Sequence, residues 1–324
     1  MILFEHNIQD IFILLGNDCN FKCKYCFVRT YKPQKSKQYN KKIIDFIKQT
    51  ADNQETLTVS FFGGEPLLYF DIIKSIIFDL KSCTNIKYRI CTNGSLIDKE
   101  CLDFINTNDI SISLSWDGRN SELSRGVDVM KTNRDNLLTI DKLSLLVMIN
   151  KYTNLNNVLD DIEDLERIRG FDINVIISNI RNVNNVSDEI FDFDISKIIT
   201  DNSIYRTKNK FTEDLNKRLM YYEENRDTIL INGYSVLSID LIGNLYIHKR
   251  THDKPIGNIE TSLYSDYMMN WNYFDKLYKD YYYKKCYCCN VKALCNKESR
   301  NIYTSFVDKS FCKKQKLLYT PFIK

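Results

Sequence analysis

Three cysteines stand close together near the start of the chain, in the run Cys19-Asn-Phe-Lys-Cys23-Lys-Tyr-Cys26. A CxxxCxxC loop can wrap three thiolates around one corner of a cubane iron-sulfur cluster, because thiolate is the ligand such clusters take. One iron is then left open, and an amino and a carboxylate group can chelate there. On spacing alone two plainer readings stay open: a zinc knuckle short of its fourth ligand, or a set of structural thiols.

A second group lies towards the other end. Cys286, Cys289, Cys295 and Cys312 supply four thiolates, enough to close a tetrahedral zinc site or to ligate a whole cluster. The chain has eleven cysteines in all, an odd number that cannot all pair. Its first residues lack the basic start and small-residue cleavage site of a signal peptide, so a reducing cytoplasm is expected. The formal net charge is +3, with basic residues scattered among acidic ones, which gives no electrostatic footprint for nucleic acid or an anionic membrane. The longest apolar runs are far too short to span a bilayer.

Elements must hold the first cysteines in place, and the sequence shows which. Apolar or alternating runs predict strands at 11–15, 57–62, 87–91, 110–115, 144–150 and 172–177. Between them, apolar residues at spacings of three and four predict helices at 41–50, 72–81, 98–106 and 155–168. Strand-helix alternation repeated six times implies an α/β fold with a parallel sheet. Polar loops follow the strands: the cysteine loop after the first, Gly63-Gly64-Glu65-Pro66 after the second, Thr92-Asn93-Gly94 after the third, Trp116-Asp117-Gly118 after the fourth. Ligands of α/β folds sit at these carboxyl ends. The pattern changes after about residue 181, and 235–250 reads as a hairpin turning at Gly243–Asn244, followed by the Cys-dense tail. The expected units are 1–180, a helical connection at 181–234, and 235–324.

With those loops in order, the chain resembles the radical S-adenosylmethionine (radical SAM) superfamily. The resemblance implies a partial (β/α)6 TIM-like barrel in which Cys19, Cys23 and Cys26 carry a catalytic 4Fe-4S cluster. Gly63, Gly64, Glu65 and Pro66 match the segment that receives the cofactor's ammonium group, and Tyr25 falls where the family places an aromatic against the adenine. Ser115 and Asp117 match the region near the ribose, and Arg125 resembles the arginine that pairs with the methionine carboxylate. Asn93 and Asn150, at the ends of the third and fifth strands, are matched to the cofactor-binding residues as well, and by residue type each also suits the cap of a turn.

The tail is similar to the SPASM extension of radical enzymes that modify peptides and proteins, whose seven cysteines bind two auxiliary clusters. His248, Ser262 and Ser299 stand where three of those seven are expected. The missing positions serve the inner auxiliary cluster, whereas Cys286, Cys289, Cys295 and Cys312 match the outer one, so the resemblance implies one catalytic and one outer cluster, the latter a second 4Fe-4S. Leu263, after Ser262, stands where sulfatase-maturing members carry a catalytic Asp. Cys83 and Cys101 are expected to pack as small apolar residues, while Cys91 and Cys288 are candidate thiols that return a hydrogen atom to a substrate radical.

The resemblance implies reductive cleavage of S-adenosylmethionine and modification of a ribosomally made peptide or protein, by epimerisation, a thioether or a C–C or C–O crosslink. An electron donor such as flavodoxin or ferredoxin is expected. Eighteen residues precede Cys19, so leader recognition is expected from a separate protein or from the 181–235 segment. The alternatives are a radical enzyme acting on a small molecule, a non-catalytic iron-sulfur protein, and a zinc module joined to an α/β binding domain.

Overall fold

A computed structural model of the chain describes residues 8–30, 38–179, 236–246 and 255–261. The chain runs β1 (Asp10–Leu14), α1 (Lys42–Ala51), β2 (Leu57–Phe62), α2 (Phe70–Leu80), β3 (Ile86–Thr92), α3 (Lys99–Thr107) and β4 (Ser111–Ser115). Three short helices follow, α4 (Ser121–Arg125), α5 (Val129–Thr132) and α6 (Arg134–Leu138), and then β5 (Leu143–Ile149), α7 (Leu155–Arg169) and β6 (Asn174–Asn179). Beyond the next described boundary come β7 (Val236–Asp240), β8 (Asn244–Tyr246) and β9 (Gly257–Asn258).

The nine strands among the described residues form one sheet in the order β6-β5-β4-β3-β2-β1-β7-β8-β9. Neighbours from β6 across to β7 pair in parallel, and the β7–β8 and β8–β9 pairs are antiparallel. This is an α/β fold with a mostly parallel sheet, consistent with a partial barrel. Side chains alternate along each strand. Ile11, Val59, Ile90, Ile112 and Leu145 are fully buried on one face, where they join Ile47, Ile73, Ile105 and Ile162 of the helices in the main core. The opposite face carries a smaller cluster of Phe12, Leu14 and Tyr246, with Phe62, Cys91 and Val236 packed against it.

Local chemistry sets the helix ends. Asp98 caps α3 by accepting from the Cys101 N–H, and Asn154 caps α7 by accepting from the Asn157 N–H. The predicted strands and long helices all occur, within two residues of their expected bounds. The hairpin at Gly243–Asn244 is present, and its first strand is hydrogen-bonded onto β1, with Phe12 opposite Ser238. The unit boundaries at 181 and 235 lie outside the described residues, as does the whole Cys-dense tail.

Candidate functional site

The cysteine loop leaves the carboxyl end of β1, a strand paired on both edges, by β2 and by β7. Neighbouring loops grip it in turn. On the β2 side the ladder continues past the strands, with Leu15 N–H donating to Phe62 O at 2.9 Å, Gly64 N–H to Gly16 O at 2.8 Å and Glu65 N–H to Asp18 O at 2.8 Å. This approach is so close that a Cβ on Gly63 would stand 2.3 Å from Gly16 O, and one on Gly64 2.2 Å from Asp18 O. Only glycine allows the two loops to interlock. On the β3 side, Asn93 Nδ2 donates to Asn20 Oδ1 at 2.9 Å and reaches Cys19 Sγ at 4.0 Å, while Asn20 Nδ2 donates to Ser95 Oγ at 2.8 Å. From α4, which follows β4, Ser124 O accepts from Lys24 N–H at 2.8 Å, and from the turn after β5 Tyr152 Oη accepts from Lys24 Nζ at 3.0 Å.

The three thiols at the centre are free and half-buried. Burial pushes the Cys23 thiol up to about 11; Arg125 opposes the shift, and Cys26, Cys19 and Asp117 add to it. Burial also raises Cys19, with Glu65 and Cys26 adding to the rise against donors from Phe21 and Asn93. Among the described residues no three Cys, His, Asp or Glu side chains are drawn together as a single metal ion would require.

Two buried carboxylates bind the strand ends together. Glu65, 1% exposed, accepts from Thr92 Oγ1 at 2.6 Å and Leu67 N–H at 3.0 Å on one oxygen, and from Asn93 N–H at 2.8 Å on the other. Burial raises its pKa against those three donors. Asp117, 2% exposed, accepts from Tyr25 Oη at 2.6 Å, Ser124 Oγ at 2.7 Å, Arg125 Nη2 at 3.0 Å and Met148 N–H at 3.0 Å. The Arg125 guanidinium carbon stands 5.3 Å from the centre of the Tyr25 ring. Burial alone would lower the Arg125 pKa, but the Asp117 carboxylate together with Tyr25 and Cys23 more than offsets this, and the net shift is upward. Burial also lifts the Tyr25 phenol well above its ordinary range, and Asp117 adds to the effect against Arg125.

The structure therefore brings Tyr25, Asp117 and Arg125 into one network, and Gly63, Gly64, Glu65 and Asn93 into contact with the cysteine loop or the turn beside it. Pro66 is buried at the first position of a short 3-10 turn, where the missing N–H of proline costs nothing. Ser115 ends β4, on the half-buried face away from the helices. Asn150 closes its own turn, accepting from Tyr152 N–H and donating to Met148 O, both at 2.9 Å. Cys91 lies on β3 opposite Ser113, against the Phe12 cluster. Cys101 is buried in the main core and Cys83 packs against it. Cys286, Cys288, Cys289, Cys295, Cys312, His248, His252 and His6 lie outside the described residues.

Sequence reading gave no role to Asn20, Thr92 and Ser124, which fasten these loops. Asn20, inside the CxxxCxxC run, and Thr92, in the polar loop after the third strand, carried a positional signal, and Ser124 carried none.

The donor set suits a cluster with its cofactor. Three thiols share one loop, and Arg125, although buried, keeps its Nε without a hydrogen-bond partner. A buried guanidinium nitrogen without an acceptor is costly, and an anionic ligand group would satisfy it.

Comparisons with known proteins agree with this geometry. The Radical SAM superfamily profile matches residues 13–180. The radical SAM cyclopropyl synthase TigE of Paramaledivibacter caminithermalis is 28% identical over 173 residues, 47% of this chain and 35% of that protein. A GTP 3',8-cyclase of Campylobacter jejuni subsp. doylei is 30% identical over 167 residues, 49% of this chain and 51% of that protein. In each case the match spans little more than half of the relative, or less. Among solved structures, anSMEcpe with bound AdoMet and Kp18Cys peptide superposes with a TM-score of 0.65 at 18% identity, covering 97% of both chains, which speaks to the fold. No described helix is long and apolar enough to cross a membrane.

Proposed function

Because the chain belongs to the radical SAM superfamily, we propose that it cleaves S-adenosylmethionine reductively and uses the product to modify a ribosomally made peptide or protein. The observation that carries this reading is the cysteine loop itself, three free thiols gripped by the loops of four neighbouring strands. When bound, the cluster and cofactor supply one electron and a 5′-deoxyadenosyl radical able to take hydrogen from an unactivated carbon.

The chain's own residues bind and orient. Cys19, Cys23 and Cys26 would hold the cluster. The backbone edge at Gly63-Gly64-Glu65-Pro66 would meet the cofactor's amino group, Arg125 its carboxylate and Tyr25 its adenine, with Asn93, Ser115 and Asn150 further along the same rim. Glu65 already accepts three hydrogen bonds from its own chain, so the backbone of that motif is the better partner for an ammonium group. Orientation of this kind accounts for most of what a protein adds to cofactor chemistry. The proposed second 4Fe-4S cluster would rest on Cys286, Cys289, Cys295 and Cys312 and relay electrons from a flavodoxin or ferredoxin. A separate leader-binding protein would present the peptide.

If the reaction is an epimerisation, the S–H of Cys91 or Cys288 would give its hydrogen atom to the substrate carbon radical. The thiyl radical left behind would take one electron from the external donor and one proton from water. Ala at both positions would then leave the radical unquenched, whereas a crosslinking enzyme would be unaffected.

The reading is tested on anaerobically purified protein. It predicts about eight irons per chain with little zinc, and release of 5′-deoxyadenosine on reduction with dithionite. The triple Ala variant of Cys19, Cys23 and Cys26 should lose about half the iron and all of the cleavage; a variant that keeps both would end the proposal. Likeness to a GTP 3',8-cyclase favours one second reading, a small-molecule substrate. Transfer of deuterium into 5′-deoxyadenosine from a labelled precursor peptide, and not from a labelled nucleotide, separates the two.

A further inference from the structure

Resting on that reading of the site, we propose that Asp117 is a positioning residue, whose carboxylate fixes Tyr25 and Arg125 relative to each other and so couples the cysteine loop to the polar end of the cofactor. The resemblance put Asp117 near the ribose as a ligand, and its hydrogen bonds assign it other work.

A carboxylate offers about four acceptor sites. At Asp117 all four are taken, Oδ1 by Arg125 Nη2 and Met148 N–H and Oδ2 by Tyr25 Oη and Ser124 Oγ. A ribose hydroxyl could gain an acceptor here only by displacing one of these donors, and with 2% exposure water is not available to replace what is lost. The donors come from the cysteine loop, α4 and β5, while Asp117 itself ends the β4 turn with its N–H donated to Ser121 Oγ at 2.8 Å. One side chain thus joins three separate segments to its own.

The consequence falls on two groups. Tyr25 directly precedes Cys26, and its hydroxyl bond to Asp117 is a side-chain tether of the cysteine loop to β4, beside the backbone tether from Lys24 N–H to Ser124 O. Arg125 is held through Nη2, which leaves the unpartnered Nε of the same planar group facing in a fixed direction. Without the carboxylate the guanidinium would be free to turn, and the geometry offered to a carboxylate ligand would blur.

Two substitutions separate positioning from plain support. In Asp117→Asn the amide oxygen can still accept from Arg125 and Met148, and the amide nitrogen can donate to the two hydroxyls, so the loops stay joined and only the charge is lost. Tyr25→Phe keeps the charge and cuts the tether. Both variants and their combination are reconstituted anaerobically, and three quantities are read: iron content, affinity for S-adenosylmethionine by equilibrium dialysis, and the change that S-adenosylmethionine makes in the electron paramagnetic resonance spectrum of the reduced cluster.

The expected result is full iron in every variant, a Kd about tenfold weaker in each single variant, and a smaller spectral change. The combination should be weaker than either single variant, because one loses the charge and the other the tether. Unchanged or tighter binding in either single variant, or a combination no weaker than one of them, would overturn the assignment. So would loss of iron in both, which would make the carboxylate a folding element of the loop. A wild-type protein whose spectrum ignored S-adenosylmethionine would instead sink the functional reading itself, so the two failures are distinguishable.

Discussion

Gly64→Ala probes the closest contact in the site. An added Cβ would stand 2.2 Å from Asp18 O, 2.6 Å from Asn17 O and 2.7 Å from Asn17 C, against an ordinary contact of 3.4 Å or more. These are backbone atoms and cannot swing aside as a side chain would. The GGEP loop and the cysteine loop must therefore part by about 1 Å. That movement strains two backbone hydrogen bonds, Gly64 N–H to Gly16 O and Glu65 N–H to Asp18 O, each 2.8 Å in the native chain. Two such bonds together contribute about 1–3 kcal/mol, and overpacking of this kind costs a similar amount. Asp18 is bonded directly to Cys19, so the displacement passes straight to the first thiol. A misplacement of about 1 Å can reduce a rate by roughly 100-fold. We expect Gly64→Ala to lower the unfolding free energy by about 2 kcal/mol in denaturant titration, and to slow 5′-deoxyadenosine release per bound cluster by roughly 100-fold. The control is Gly170→Ala at the end of α7, where φ is +77° and nothing lies within 4 Å of the added atom. It should cost about 1 kcal/mol and leave the rate per cluster unchanged. A Gly64→Ala protein as stable and as fast as wild type would show that the two loops do not interlock.

Three further outcomes follow from the same physical terms. Glu65→Gln turns an amide N–H₂ towards backbone donors that need an acceptor, and should destabilise the chain by about 1–3 kcal/mol in thermal or denaturant melts; an unchanged midpoint would mean that Glu65 does not hold the β2 and β3 turns together. Asp240→Ala removes the acceptor for Ile242 N–H, Asn244 N–H, Asn244 Nδ2 and Tyr246 Oη, and should cost about 2–4 kcal/mol while iron binding at Cys19, Cys23 and Cys26 persists. Cys101→Ala, in the main core on α3, should cost about 1 kcal/mol and leave iron content unchanged, whereas any loss of iron would make Cys101 a ligand.

The sheet was legible because its signals are local. β1, β2 and β5 are runs of buried Ile, Leu, Val and Phe, and α1, α2 and α7 repeat apolar residues at helical spacing. The short helices α4, α5 and α6 left no such trace, since four or five residues are too few to show a period. The hairpin showed itself through Gly243–Asn244, but its pairing with β1 joins residues more than two hundred positions apart, as in Asp10 opposite Val236. At the site the division is the same. Cysteine spacing and the Gly-Gly pair are written in the chain, and the close approach at Gly64 supplies the physical reason for that pair. What Glu65 and Asp117 bind is not written there, because their partners arrive by folding, from Thr92 and Asn93 in one case and from Tyr25 and Met148 in the other.

Placing the thiol loop on β1 bears on how the protein would survive oxygen. β1 is stitched to β2 on one edge and β7 on the other, and its Ile11 and Ile13 are sealed in the main core. With a cluster on those thiols, air that stripped its iron would attack the tip of a rod whose shaft stays clamped. The thiols would then return to nearly the same address, and rebuilding the inorganic core from ferrous iron and sulfide would be a refilling of a standing frame, with no refolding to wait for.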